Sequence, residues 1–346
     1  MLRRTAIKAL LAMAYGTAFR SATATETNTK KLTKVKVLAV SSSLTSTPFL
    51  VAYANGMYEN AGLDLGKKIQ LFQGGSTKVV KALLVGEGDI ATTGAVPLLQ
   101  AIAAGAKVKI IAQMENQAVT LVLSKDAAAR IKAATGVTQK SPLADKVRAL
   151  KGLKIGTTPA GNQFYMLLVM LMNRYGVKEN EVTLLPALTS TVGAGVIGGT
   201  FDGSFWGVGA LQNIISDAGG VEWINLMTEH EEGISNFPLT YIFTTDDYLK
   251  NHTDVVKRFV DASRKAAAES ISNPEEVMPA IRKEWYPTLS PSEWKAIWKD
   301  VPNVIVPDQK VRRQEFASTV KALERATNKA LPNLTYDNAV AKIAQE

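Results

Sequence analysis

The chain has 346 residues, 46% of them hydrophobic, which is enough to bury a large core and suggests about two domains. It has no cysteine, which excludes disulfides, thiolate metal sites and cysteine nucleophiles, and only two histidines. The formal charge of +9 falls to about +5 once Arg3, Arg4, Lys8 and Arg20, all ahead of the first acidic residue, are set aside (9 − 4 = 5). The remaining basic residues are scattered among acidic ones, without a basic stripe, so nucleic acid is not expected as a partner.

Residues 1–24 read as an export signal. Arg3-Arg4 make a charged start, the apolar run over 9–19 is too short to span a bilayer, and Ala22-Thr23-Ala24 offers a small-x-small cleavage site. Arg3-Arg4-Thr5-Ala6-Ile7-Lys8 resembles a twin-arginine signal, with the general secretory route left open. No cysteine follows the apolar run, so the expected product is periplasmic and soluble, with no lipid anchor.

After a polar linker, a strand is expected over 36–40, a helix over 48–60 stopped at Gly62, and a strand over 69–72. A helix over 76–85, a strand over 90–92, a helix over 96–104 and a strand over 108–113 continue the alternation. An apolar run over 119–123 leads into a polar, less regular stretch over 124–149, read as the crossing to a second lobe. There a strand over 153–156, an apolar helix over 161–175 closed by Gly176, and a strand over 182–185 follow; a helix over 211–217 and a strand over 223–226 add to them. Residues 240–244 read as the return crossing, and helices are expected over 253–272, 275–284, 292–298, 309–329 and 336–345, with Trp294 and Trp298 on one packed face. This is α/β alternation with mostly parallel strands, in which ligands bind at the loops after strand C-termini.

One unit occurs twice. Gly86-x-x-Asp89 and Gly199-x-x-Asp202 each end a stretch of strand, hydroxyl-rich loop and helix, at an offset of 113 (202 − 89), and the upstream helix stops Gly62 and Gly176 differ by 114. Asp89 and Asp202 stand just before strands, where turn roles outweigh acid–base ones.

The loops expected to face a cleft between the copies hold Ser41, Ser42, Ser43, Thr45, Gln73, Gly74, Gly75, Ser76, Thr92, Thr93, Thr157, Thr158, Gly161, Asn162 and Gln163, with Ser190 and Thr191. Glycine admits close backbone approach and hydroxyl residues cap helices whose amides point outward, so the set favours an oxyanion or carboxylate at helix N-termini. Phe205 and Trp206 are the best candidates for an apolar wall, ahead of Phe49 and Phe164. No catalytic residue, cofactor or metal is expected. His230, among Glu229, Glu231 and Glu232, reads as a solvated acidic turn, and the loops hold neither cysteine nor histidine for a nucleophile and base.

Several stretches together resemble one family: Pro48 with residues 52–56 and Ala61-Gly62-Leu63, Gly74-Gly75-Ser76, Ala82-Leu83 with Gly86-x-x-Asp89-Ile90-Ala91, Leu150-Lys151-Gly152-Leu153-Lys154-Ile155, and the Asp202 copy. In that order, over about residues 35–274, they are similar to periplasmic substrate-binding proteins of ABC importers, in the nitrate/sulfonate/taurine-type branch that includes pyrimidine-precursor-binding relatives. The resemblance implies a two-lobed periplasmic-binding-protein fold (type II), with two α/β lobes joined by a two-stranded hinge. Lobe 1 would comprise residues 35–123 plus 240–346 and lobe 2 residues 124–239. A small-molecule ligand would sit between them, a permease and ATPase at the inner membrane would be the partners, and the protein would be a monomer that is not an enzyme. An enzyme on the same fold, or a sensory module that presents ligand, are the competing expectations. No arginine or lysine is clearly placed in the candidate loops, which sets this chain apart from a binder of strongly charged sulfonates.

Overall fold

Apolar runs too short for helices and closed by glycine turns become strands, and the amphipathic stretches between them become the helices that cover both sheet faces. A computed structural model describes residues 32–40, 44–72, 75–229, 231, 234 and 236–345; the expected leader 1–24 and His230 lie outside the described residues. The principal strands are β1 (Val37–Ala39), β2 (Gln70–Leu71), β3 (Ile90–Gly94), β4 (Val108–Asn116) and β5 (Val119–Leu123). They continue with β6 (Lys154–Thr157), β7 (Thr183–Pro186), β8 (Gly203–Gly207), β9 (Val221–Asn225) and β10 (Pro238–Thr245).

Two five-stranded sheets repeat one order. In the first, β2, β1 and β3 run parallel, β10 lies antiparallel to β3, and β4 antiparallel to β10. In the second, β7, β6 and β8 run parallel, β5 lies antiparallel to β8, and β9 antiparallel to β5. Strands β5 and β10 thus hold equivalent places, and each follows a strand of the opposite sheet. The chain changes sheets twice, between β4 and β5 and between β9 and β10, so two connections join the lobes. The expected first crossing over 124–149 comes too late, because 119–123 is already a strand of the second sheet rather than of the first, as a boundary at Leu123 had implied; residues 240–244, expected to be the return crossing, are a strand paired inside the first sheet.

The duplication is visible in hydrogen bonds. Asp89 donates its amide to the Lys36 carbonyl (2.8 Å) and accepts the Lys36 amide on Oδ2 (2.7 Å). Asp202 does both with Lys154, at 2.8 Å each. Gly86 and Gly199, which end the preceding helices, have φ of 81° and 76°, values that suit glycine. Each aspartate therefore ties the start of one parallel strand to the start of its neighbour. Replacing Asp89 or Asp202 by Ala should cost about 1–3 kcal/mol in urea denaturation, while Asn, which keeps the acceptor, should recover most of it. An Ala variant as stable as the wild type would refute the tie.

The helices used below are α1 (Thr47–Ala54), α2 (Ser76–Leu84), α3 (Ala95–Ala103), α4 (Lys125–Thr135), α5 (Leu143–Arg148), α6 (Gln163–Arg174), α7 (Val192–Ile197) and α8 (Thr253–Ser272). The stretch 124–149, expected to be irregular, holds α4 and α5. Alanine-rich sequence favours helix, the Ser124 hydroxyl accepts the Ala127 amide at 3.1 Å, and Gly136 ends α4 in the left-handed region. The single helix expected over 48–60 is broken, because Gly56 at φ 67° separates α1 from the turn Met57–Asn60. Phe49 stacks on Phe259 of α8 with centroids 6.3 Å apart, inside the core of the first lobe and away from any wall of a cleft.

Candidate functional site

A cavity of about 50 Å³ lies between the two sheets, at the C-terminal ends of their parallel strands. The first lobe contributes Val40 after β1, Thr45, Phe72 after β2, Gly75 and Ser76 at the start of α2, and Gly94 at the end of β3. The second contributes Thr158, Pro159, Asn162, Gln163 and Phe164 around the start of α6, Ala187, Leu188 and Thr189 after β7, and Trp206 of β8; Leu239 and Thr240 of β10 complete the lining. Both halves of the duplication thus present the same end to a shared space.

Of the candidate residues, Thr45, Gly75, Ser76, Thr158, Asn162, Gln163 and Trp206 come together here. Ser41, Ser42, Ser43, Gln73 and Gly74 lie outside the described residues. Thr92, Thr93, Thr157, Gly161 and Phe205 are not in the lining. Thr92 and Thr93 are interior to β3, where the Thr93 hydroxyl is spent on the Ser76 carbonyl at 3.3 Å, and Thr157 is buried as the last residue of β6. Phe205 is fully buried in the main core, whereas Trp206 joins Phe164 at the cavity, with ring centroids 5.4 Å apart. The pair belongs to a strand rather than a glycine turn, and successive strand side chains point to opposite faces, so only one of the two can serve. Ser190 and Thr191 also miss the lining, while their neighbours Leu188 and Thr189 enter it.

The sequence reading missed Val40, Phe72, Ala187, Leu188 and Thr189, which flank the loops it named, and also Gly94, Leu239 and Thr240. Gly94 ends a strand and opens α3, a glycine at a strand-to-helix junction, which was the one available signal. Leu239 and Thr240 reach the site only because β10 returns to the first sheet.

Among the described lining residues none is ionisable; the polar groups are hydroxyls, amides and helix N-termini. Helix α2 has Gly75 at its N-cap and no side-chain cap, so its first amides belong to those a helix leaves without internal partners. The Ser76 hydroxyl accepts the Gly94 amide at 3.0 Å, which leaves its proton to donate. The Thr158 hydroxyl accepts the Tyr165 amide at 3.1 Å and so caps α6. The indole N–H of Trp206 has no partner among the described residues. Free donors at the start of α2, on Ser76 and on Trp206 thus stand beside an apolar wall, an arrangement that suits a solute carrying acceptor oxygens or nitrogens.

Just beneath the cavity floor lies Glu115, fully buried near the end of β4 and in register with Thr240. Burial pushes its carboxyl up to about 8, partly opposed by hydrogen bonds from Thr47, whose amide reaches Oε1 at 2.7 Å. The other oxygen, Oε2, has no partner. This acid supports the start of α1 and the turn carrying Thr45.

The profile of the NMT1/THI5-like family matches residues 43–277. The chain belongs to the NMT1/THI5-like family. Solved structures of similar fold include a Bordetella bronchiseptica RB50 protein, with TM-score 0.71, 18% identity, and coverage of 90% of this chain and 95% of that one. The periplasmic aliphatic sulphonate binding protein SsuA from Escherichia coli aligns at TM-score 0.63 and 16% identity over 86% of this chain and 92% of its own. The periplasmic nitrate-binding protein NrtA from Synechocystis PCC 6803 aligns at 0.59 and 14%, over 76% and 69%. A comparison with curated sequences gives no match. This NMT1/THI5-like chain therefore has the two-lobed periplasmic-binding-protein fold, with its cavity in the cleft between the lobes.

Proposed function

We propose that the protein is the extracytoplasmic solute-binding component of an ABC importer, which holds a small solute between its lobes and delivers it to a membrane permease. The observation that carries this reading is the cavity itself: duplicated strand ends and helix N-termini face one space from two lobes joined by a hinge, the arrangement that allows closure around a ligand. The reading is also supported by the leader-like sequence of residues 1–24. At about 50 Å³ the cavity has room for roughly four water molecules. Hydroxyl and amide donors beside Phe164 and Trp206, with no ionisable group in the described lining, favour a neutral solute, or an anion held by backbone amides, over a strongly charged one.

Native mass spectrometry of protein taken from its own periplasm, before and after unfolding, tests the reading. A small molecule should be retained by the wild type, and Trp206→Ala should bind it at least about thirtyfold more weakly, as loss of an aromatic anchor does. An intact leader on a cytoplasmic protein, or a ligand equally well held by Trp206→Ala, would count against it.

A further inference from the structure

We propose that Gln163 is a latch that closes the cleft from within the chain and takes the place of an anion at the start of α3. Gln163 is the first residue of α6 in the second lobe, yet both polar ends of its side chain are spent on the other side of the cleft. Its Oε1 accepts the Val96 amide, in the first turn of α3, at 2.7 Å, and its Nε2 donates to the Pro238 carbonyl, where β10 begins, at 3.2 Å. The side chain is 4% exposed. Helix α3 has Gly94 at its N-cap and no side-chain cap of its own, so the cross-cleft carboxamide does that work.

The seat is built for it. A Cβ on Gly94 would stand 2.9 Å from the Cβ of Gln163 and 2.8 Å from the Ser76 hydroxyl, so the lobes can approach this closely only because residue 94 has no side chain. The adjacent residue repeats the pattern, since a Cβ on Gly75 would stand 3.0 Å from the Asn162 Oδ1, which also accepts the Thr77 hydroxyl at 3.3 Å. Two consecutive side chains of the second lobe thus fit against two glycines of the first. Helix N-termini ordinarily attract anions, and here one of the two N-termini that the first lobe presents to the cavity is already filled by a neutral amide. The latch shifts the equilibrium between open and closed lobes toward closed before any solute binds, and it leaves the start of α2 as the seat for the solute's own acceptor groups.

The test uses the full-length mature chain, unfolded and refolded to strip bound solute, and needs no knowledge of the solute. Small-angle scattering of the stripped wild type should match the closed arrangement described above, and Gln163→Ala should expand as the closed-to-open ratio falls roughly tenfold or more with two hydrogen bonds lost. Gly94→Ala, which disturbs the seat from the opposite lobe and leaves Gln163 intact, should expand in the same way. Gln163→Asn, one methylene shorter but with the same amide, should also open and serves as the reading if the alanine variant fails to fold. Thermal melts monitored by circular dichroism establish that each variant is folded. A stripped wild type already as expanded as Gln163→Ala would overturn the latch, as would folded variants that scatter like a closed wild type.

Discussion

Glu115→Gln should be more stable than the wild type at pH 9, by on the order of 5 kcal/mol, and should lose most of the decline in stability that the wild type shows between pH 5 and 8. The sign follows from where the proton sits. The folded carboxyl titrates at about 8 and the ordinary value is 4.5, so between those values the native state keeps a proton that the unfolded chain releases. Stability must therefore fall as pH rises through that window, by about 1.4 kcal/mol per unit, and the loss is complete above the folded value. Below 4.5 both states are protonated and the residue contributes nothing. Glutamine keeps an acceptor for the Thr47 amide and cannot ionise, and its second polar atom is no worse placed than the Oε2 it replaces, which has no partner. Urea denaturation of both proteins at pH 5, 7 and 9 measures the difference; parallel pH profiles would show that Glu115 is not the group responsible. Because Glu115 carries the turn before α1, and Thr240 donates its hydroxyl to the Thr45 carbonyl at 2.5 Å, an ionised Glu115 strains the cavity floor as well as the core.

The repeat was readable because it rests on local chemistry: a glycine that ends a helix in the left-handed region and an aspartate that accepts a strand's first amide are needed in each copy, whatever surrounds them. The helix over 253–272 was readable for a similar reason, since its apolar period is long and its ends are marked. What escaped depends on contacts between distant parts of the chain. Phe205 and Trp206 look alike among glycines, and only the pairing of β8 with β5 and β6 decides which faces the core. Gln163 was readable as a cleft residue, but its partner Val96 is 67 positions away and lies in the other lobe. Residues 119–123 were legible only as an apolar run, and 240–244 only as a crossing. Their exchange between sheets follows from pairings that no local pattern encodes. Glu115 did leave a trace, a lone carboxylate in the apolar run of β4, though its depth becomes apparent only with β10 on one side and Ile305 on the other.

Gly203→Ala should be strongly damaging to the second lobe, costing about 3 kcal/mol or more, because the added carbon meets backbone that cannot give way. Gly203 opens β8 opposite Leu123 of β5, and its Cβ would lie 2.5 Å from Leu123 Cδ2, 2.7 Å from the Val122 carbonyl oxygen and 3.1 Å from Leu123 Cα. A leucine tip can rotate away, whereas the carbonyl and Cα are held by pairings on both sides, β8 with β5 and β5 with β9. The first lobe shows that the restriction is local. There the residue after the matching aspartate is Ile90, fully buried and opposite Thr244, so the same place in the duplicated order accepts a large side chain. The variant should therefore melt earlier, and hydrogen exchange should quicken at amides of β5 and β8 while β1 and β3 stay protected. Because β8 carries Trp206 to the cavity, retention of the native solute should fall together with that protection. If Gly203→Ala melts within about 1 °C of the wild type, β5 and β8 can separate without cost, and the close approach of the two strands does not hold the second lobe together.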